Sequence, residues 1–283
     1  SFNRNIRLFI VANVLIQIGM GVFSVMYNLY IRELGLPETV NGSVISVMSL
    51  ATAIMLVPAG ILSDKFGRKW ILITGTSLTA IMLLGRSLVT TEQPILILGF
   101  ATGIVWALTQ VSGVPFLAEN SKSSERMQLF SIHFALVTVA NVVGSLLGGV
   151  IADGALVLGA GDVTSIQISL IVGGAIFVAG LLPLFSLKTT EKLEELEESF
   201  EEMTEEVQTE ADFRANFKMI VLFGFANLLI GTGSGLVIPY LNLYFANRFD
   251  ASNSYVGLIL ALGSAMTAVA MLIGPRLVNR VGK

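Results

Sequence analysis

Long apolar stretches separated by short polar turns run the length of the chain. They fall near 8–31, 40–62, 70–90, 94–118, 127–151, 165–187, 217–246 and 253–275. Each approaches or exceeds the roughly 20 residues a helix needs to cross hydrocarbon. Backbone amides and carbonyls find no water in lipid, so a spanning segment is a helix or part of a closed barrel. Runs this uniformly apolar exclude the barrel, whose strands alternate polar and apolar positions. The pattern therefore predicts an all-α membrane protein with eight spanning helices. Between the sixth and seventh spans it changes character. Leu193, Leu196, Phe200, Met203 and Val207 recur at heptad spacing while Glu fills most other positions of 191–210. That is the signature of a short amphipathic helix, read most simply as a solvated linker laid on the bundle.

Composition agrees. Hydrophobic residues make up 54% of the 283 positions and charged residues 13%, too few to clothe a soluble domain of this size. The 28 glycines, costly in soluble helices, suit a bundle in which small residues let helices pack closely in lipid. Of the 17 Lys and Arg, only Arg32, Arg86 and Arg248 fall on one side of the spans. The other side is by the inside-positive rule the cytoplasm, and it holds the N-terminus. The net charge of −3 divides into an acidic 188–218, with 11 acids and 4 bases, and a mildly basic remainder. This is the charge of a membrane protein and points to no nucleic-acid partner. The first stretch is too long for a cleaved signal and is expected to remain as a helix. Absence of Cys excludes disulfides and thiolate metal sites.

The chain repeats itself. Residues 8–30 align without gaps to 222–244, an offset of 214, with 11 identities in 23 positions that include Asn13/Asn227, Gly19/Gly233, Gly21/Gly235 and Asn28/Asn242. The seventh span thus repeats the first, six spans make one unit, and an even number of spans leaves both units facing the same way. A basic hinge, GILSDKFGRK at 60–69, joins the second and third spans, and a weaker echo, GPRLVNRVGK, stands at 274–283 with Asn279 in place of Asp64. Glycines at 60 and 67 would permit close helix approach and a tight turn, and Asp64 would pair with a cation or cap a helix.

These features resemble the major facilitator superfamily, built from two six-helix parallel repeats. The hinge matches the family signature between helices 2 and 3 through Gly60, Leu62, Asp64, Gly67, Arg68 and Lys69. The resemblance implies an MFS-type polytopic bundle: a six-helix half at 1–187, an acidic cytoplasmic linker at 188–216, and helices 7 and 8 of a second half at 217–283. A full member has twelve helices, so the chain is expected to be a truncated one. It further implies that the gating motif Gly60, Asp64, Gly67, Arg68 and Lys69 latches the cytoplasmic side when the transporter faces outward.

Polar residues form stripes on three spans. At about 100° per residue, Asn13, Gln17, Ser24, Tyr27 and Asn28 fall within a narrow arc of the first span. Thr102, Trp106, Thr109, Gln110 and Gly113 share a face of the fourth, and Asn227, Gly231, Ser234 and Asn242 a face of the seventh. Such faces point away from lipid, toward other helices or a wet cavity. Interhelical hydrogen bonding accounts for part of this pattern. Because helices 1, 4 and 7 line the family's central cavity, the resemblance also makes Asn13, Gln17, Asn28, Trp106, Gln110, Asn227 and Asn242 candidate solute contacts. In the fifth span Ala140, Gly144, Ser145, Gly148 and Gly149 resemble the family's antiporter motif, with Ala for its first Gly and Ser for its Pro. Ordinary small-residue packing is the plainer reading. His133, the only His, and Glu33 are candidates for ion coupling, since no carboxylate lies mid-span. Arg86, near the end of the third span, is expected to snorkel to the headgroups.

No metal-ligand spacing, nucleophile elbow or phosphate-cradling loop is present, so no cofactor, no metal and no enzymatic activity is expected. The reading is a secondary active transporter of a small, neutral or amphipathic solute, working by alternating access as a monomer in the cell membrane. Its partners are that solute, H+ or another coupling ion, and the bilayer. Efflux of drug-like or lipid-like compounds is favoured. Uptake of sugars or other nutrients, and a non-transporting sensor or scaffold of the same fold, are the alternatives.

Overall fold

The computed structural model describes residues 3–122, 125–188 and 210–281, and every expected span is helical in it. In order these are α1 (Arg4–Glu33), α2 (Glu38–Phe66), α3 (Arg68–Arg86), α4 (Glu92–Glu119), α5 (Arg126–Val157), α6 (Asp162–Ala179) and the short α7 (Leu181–Phe185). After the linker come α8 (Glu210–Val237), a 3-10 turn (Ile238–Tyr240), α9 (Leu241–Phe249) and α10 (Asn253–Val281). Six of the runs are long and apolar enough to cross a membrane. The other two are α3, whose ends carry Arg68, Lys69 and Arg86, and α10, whose side chains from 270 onward lie outside the described residues. So do the heptad positions of the 191–209 segment, and Gly282 and Lys283 of the hinge echo.

Two expected spans are interrupted. The sixth breaks at Gly180 between α6 and α7, one turn before Pro183, whose ring displaces the bond to the Ala179 carbonyl. The seventh, expected to be continuous over 217–246, begins earlier, at Glu210, and breaks into the 3-10 turn around Pro239 for the same reason. By contrast Pro58 and Pro115 are absorbed within α2 and α4.

The chain divides into two compact units, Ser1–Leu187 with Asn242–Lys283, and Lys188–Leu241. In the first, α1 lies against α5 and α6, α4 against α2 and α3, and α10 along α5. Phe9, Ile16, Met26, Tyr30, Leu83 and Phe177 are among its fully buried side chains. Several helix approaches are possible only without a Cβ, two of them on α5. A methyl on Gly144 would lie 2.0 Å from the Ile18 carbonyl oxygen, and one on Gly149 2.4 Å from the Asn253 oxygen. Helix α5 is therefore in backbone contact with α1 on one side and α10 on the other. The second unit holds α8, where Asn227, Thr232 and Ser234 each donate to a carbonyl one turn back in their own helix. We call the end of the bundle carrying Gly67 the hinge end and the end carrying Glu33 the far end.

Candidate functional site

At the hinge a single residue separates two helices. Gly67 ends α2 and precedes α3 with φ +87° and ψ 135°, a conformation open to glycine and strained for any other residue. The helix beyond it starts badly: Arg68 and Lys69 open α3 with no acid in its first turn, where the helix dipole favours anions. Two carboxylates from elsewhere offset this. Arg68 reaches Asp64 across the turn at 2.7 Å and Glu119, the last residue of α4, at 2.6 Å. Asp64 itself is 65% exposed, so the pair contributes little to stability; its value is in fixing the guanidinium between α2 and α4. Lys65 and Lys69 lie over the rings of Phe66 and Trp70. Gly60 behaves otherwise than expected. Nothing lies within 4 Å of a Cβ placed there, so among the described residues no helix makes the close approach that its lack of a side chain would permit.

The repeat is visible in individual hydrogen bonds. Asn13 donates to the Phe9 carbonyl at 3.0 Å and Asn227 to the Phe223 carbonyl at 2.9 Å, the same bond in both copies. Asn28 and Asn242, also equivalent, meet each other: Asn28 Nδ2 donates to Asn242 Oδ1 at 3.3 Å, and Asn242 Nδ2 to the Val25 carbonyl at 2.9 Å. Both amides are buried, and Asn41 of α2 adds a bond to the Asn28 carbonyl. Nearer the far end, Arg32 holds Glu33 and donates to Asn247, which donates in turn to Glu38 at 2.7 Å. Asp153 of α5 accepts from the Ser254 amide at 2.8 Å, placing a carboxylate at the start of α10. The far-end segments of the second repeat are thus tied to α1, α2 and α5 by polar bonds.

The amide stripe is only partly enclosed. Asn13, Gln17 and Trp106 are half-buried, while Ser24 and Gln110 are exposed. Trp106 leans on Phe177 of α6. Thr102 and Thr109 turn inward, Thr109 meeting Thr76 of α3, and Ser112 meets Ser63 of α2 at 2.9 Å. The structure brings Asn28 and Asn242 together. Asn227 lies in the other compact unit from Asn13, Gln17, Trp106 and Gln110.

In α5 the small residues serve two neighbours. Gly144 abuts Gly21, Gly148 abuts Val22 and Met26, and Ser145 donates to the Gly21 carbonyl. On the other side Gly149 meets Asn253, and Gly257 of α10 meets the Ser145 carbonyl. Ala140 is buried. His133 is also buried, stacked on Phe9 at 5.6 Å and beside Phe134, and its Nδ1 has no partner among the described residues. Arg86 departs from expectation. It does not snorkel but turns inward, 5% exposed, onto the Tyr27 ring, because that ring offers an attractive face inside the bundle. Sequence reasoning also missed Asn41, Asn247 and Asp153 as contacts between elements. The amide inside an apolar span was a signal for Asn41; nothing local distinguished the other two.

A family model described as Major Facilitator Superfamily matches residues 9–283. The chain belongs to that superfamily. Among its relatives, an uncharacterised MFS-type transporter of Methanocaldococcus jannaschii is 24% identical over 273 residues, 94% of this chain and 66% of its own length. The multidrug resistance protein MdtG of Salmonella schwarzengrund is 27% identical over 146 residues, 50% of this chain and 36% of its own. Among solved structures, the nucleoside transporter NupG in its D323A form superposes with a TM-score of 0.70 at 15% identity, covering 99% of this chain and 69% of that one. The chain thus spans about two thirds or less of the length of these two relatives. At that identity the structural likeness establishes the fold.

Proposed function

We propose that this protein is a secondary active transporter that moves a small, neutral, polar solute by alternating access, with the hinge end in the cytoplasm. The observation that carries the reading is the meeting of Asn28 and Asn242 between equivalent helices of two repeats. Two homologous bundles that touch there can rock about the contact, and a solute held near it is then exposed to each side in turn. A gradient supplies the bias: one charge crossing 100 mV is worth about 2.3 kcal/mol.

The half-buried amides Asn13 and Gln17, with Trp106 and Gln110, are proposed as solute contacts on the first repeat and Asn227 on the second. Asn28 and Asn242 would contribute when their bond opens. Asp64, Arg68 and Glu119 are the proposed hinge-end latch. For coupling we favour His133 over Glu33, because the Glu33 carboxylate is occupied by Arg32 whereas the buried His133 Nδ1 has no partner among the described residues. A polar solute of the nucleoside or sugar class is favoured over a drug-like one. The likeness to a nucleoside transporter runs over 99% of the chain, that to MdtG over 50%. Export keeps one supporting observation, the small-residue ridge of α5 at the Gly144, Gly148 and Gly149 positions.

The test is flux into proteoliposomes holding the complete protein, with labelled uridine, xylose and a lipophilic cation compared, with and without an imposed pH gradient. Gradient-driven movement of uridine or xylose that Asp64→Asn abolishes is the expected result. Movement of the lipophilic cation alone would establish export. No flux of any solute, with normal folding, would leave a sensor or scaffold and end the transporter reading.

A further inference from the structure

Arg86 is a buried cation without a counter-charge among the described residues. It closes α3 at the far end, yet its guanidinium carbon lies 3.9 Å from the centre of the Tyr27 ring. One terminal nitrogen reaches the Met48 sulfur at 3.6 Å, a weak acceptor. Its Nε and the Tyr27 hydroxyl are both buried with no hydrogen-bond partner. Among the described residues no carboxylate lies within ion-pair distance: the bridges there join Arg32 to Glu33, and Arg68 to Asp64 and Glu119.

Charges inside a membrane protein are ordinarily paired, because an isolated one gives up its hydration for nothing. Two features offset the charge in part. The Tyr27 ring presents its negative face, and the last carbonyls of α3 carry the negative end of the helix dipole, about half a unit charge. Neither takes the Nε–H or the Tyr27 O–H. A planar guanidinium with a free N–H, beside a free phenol on the ring it stacks upon, is a donor set matched to two oxygens sharing a negative charge.

We propose that Arg86 and Tyr27 form a binding site for an oxyanion, a carboxylate or phosphate group presented either by a soluble solute or by a lipid headgroup. The site sits at the far end of α3, level with the helix ends, and on the polar arc of α1 that includes Asn28. It is separate from the hinge and does not depend on the chain transporting anything.

Purified full-length protein in detergent is heated with sodium acetate, sodium phosphate or sodium chloride at equal ionic strength while intrinsic fluorescence reports unfolding. A second arm uses nanodiscs of phosphatidylcholine with or without phosphatidylglycerol. Acetate or phosphate is expected to raise the midpoint by about 5 °C at saturation, with chloride inactive. A rise dependent on phosphatidylglycerol assigns the oxyanion to lipid; a rise with acetate or phosphate alone assigns it to a soluble solute. Arg86→Gln should remove either response. That variant also deletes a packed side chain, so Met48→Glu provides the second reading by placing a carboxylate beside the same guanidinium. Met48→Glu should unfold at a higher temperature than the wild type and no longer respond to added anion. The proposal is overturned by a destabilised Met48→Glu, by a wild-type midpoint indifferent to every anion and lipid, or by an equal rise with chloride.

Discussion

Replacing Gly144 by Ala tests whether α1 and α5 are held in backbone contact. The added methyl would sit 2.0 Å from the Ile18 carbonyl oxygen and 3.0 Å from the Gly21 Cα. Ordinary carbon–oxygen contact needs about 3.4 Å, so the two helices must part by roughly 1.4 Å along a packed seam that has no flexible side-chain tip to yield. Overpacking of this kind costs about 1–3 kcal/mol, and separation also weakens the Ser145 hydrogen bond to the Gly21 carbonyl, already 3.3 Å long. Gly60→Ala is the matched control. It makes the same chemical change inside α2 where nothing lies within 4 Å, and alanine's preference for the helix favours it by about 0.5–1 kcal/mol. Thermal unfolding of the purified protein in detergent, followed by intrinsic fluorescence, reads both. For a chain of this size about 1 kcal/mol corresponds to some 2–4 °C, so Gly144→Ala should unfold several degrees below the wild type and Gly60→Ala at or slightly above it. A Gly144→Ala protein as stable as the wild type would refute the close approach. Equal losses in both variants would show that glycine itself, not the seam, sets stability.

Gly67→Ala should lower stability by about 1–3 kcal/mol through backbone strain at φ +87°, measured by the same unfolding assay; a neutral result would mean the hinge takes another conformation. Asp64→Asn and Arg68→Ala should change the unfolding midpoint by no more than the equivalent of about 1 kcal/mol, since the pairs are partly exposed. Both should nonetheless reduce solute flux in proteoliposomes at least tenfold, and retained flux would remove the latch. A double-mutant cycle on Asn28→Ala and Asn242→Ala should return a coupling of about 0.5–1.5 kcal/mol, the range for hydrogen bonds within membrane bundles; simple additivity would mean the two amides do not bond.

The fold was legible because lipid enforces it. Every unpaired amide is costly in hydrocarbon, so length and hydropathy alone place the helices. The repeat was legible because the two copies keep Asn13/Asn227 and Asn28/Asn242 at a fixed offset, and the structure shows the first pair bonding alike and the second pair bonding each other. What the pattern could not convey was direction in three dimensions. A helical arc places Tyr27 and Asn28 side by side, yet one lies under Arg86 and the other bonds Asn242. Arg86 was read as snorkelling because sequence position gives depth in the bilayer but not which way a side chain turns. Gly60 and Gly144 look alike in sequence; only the neighbour at Gly144 gives the absent side chain a purpose. Glu119 and Asp153 stand at helix ends, as many surface acids do, and their partners are 51 and 101 residues away.

The central claim is that the two repeats meet at Asn28 and Asn242 and must part there for a solute to pass. Asn28→Cys with Asn242→Cys introduces a lockable pair into a chain that itself contains no cysteine. Flux in proteoliposomes is measured before oxidation, after it, and after reduction, with cross-linking quantified by mass spectrometry. The account predicts that the disulfide forms, that transport stops when it does, and that reductant restores it. Undiminished flux through fully cross-linked protein would contradict it.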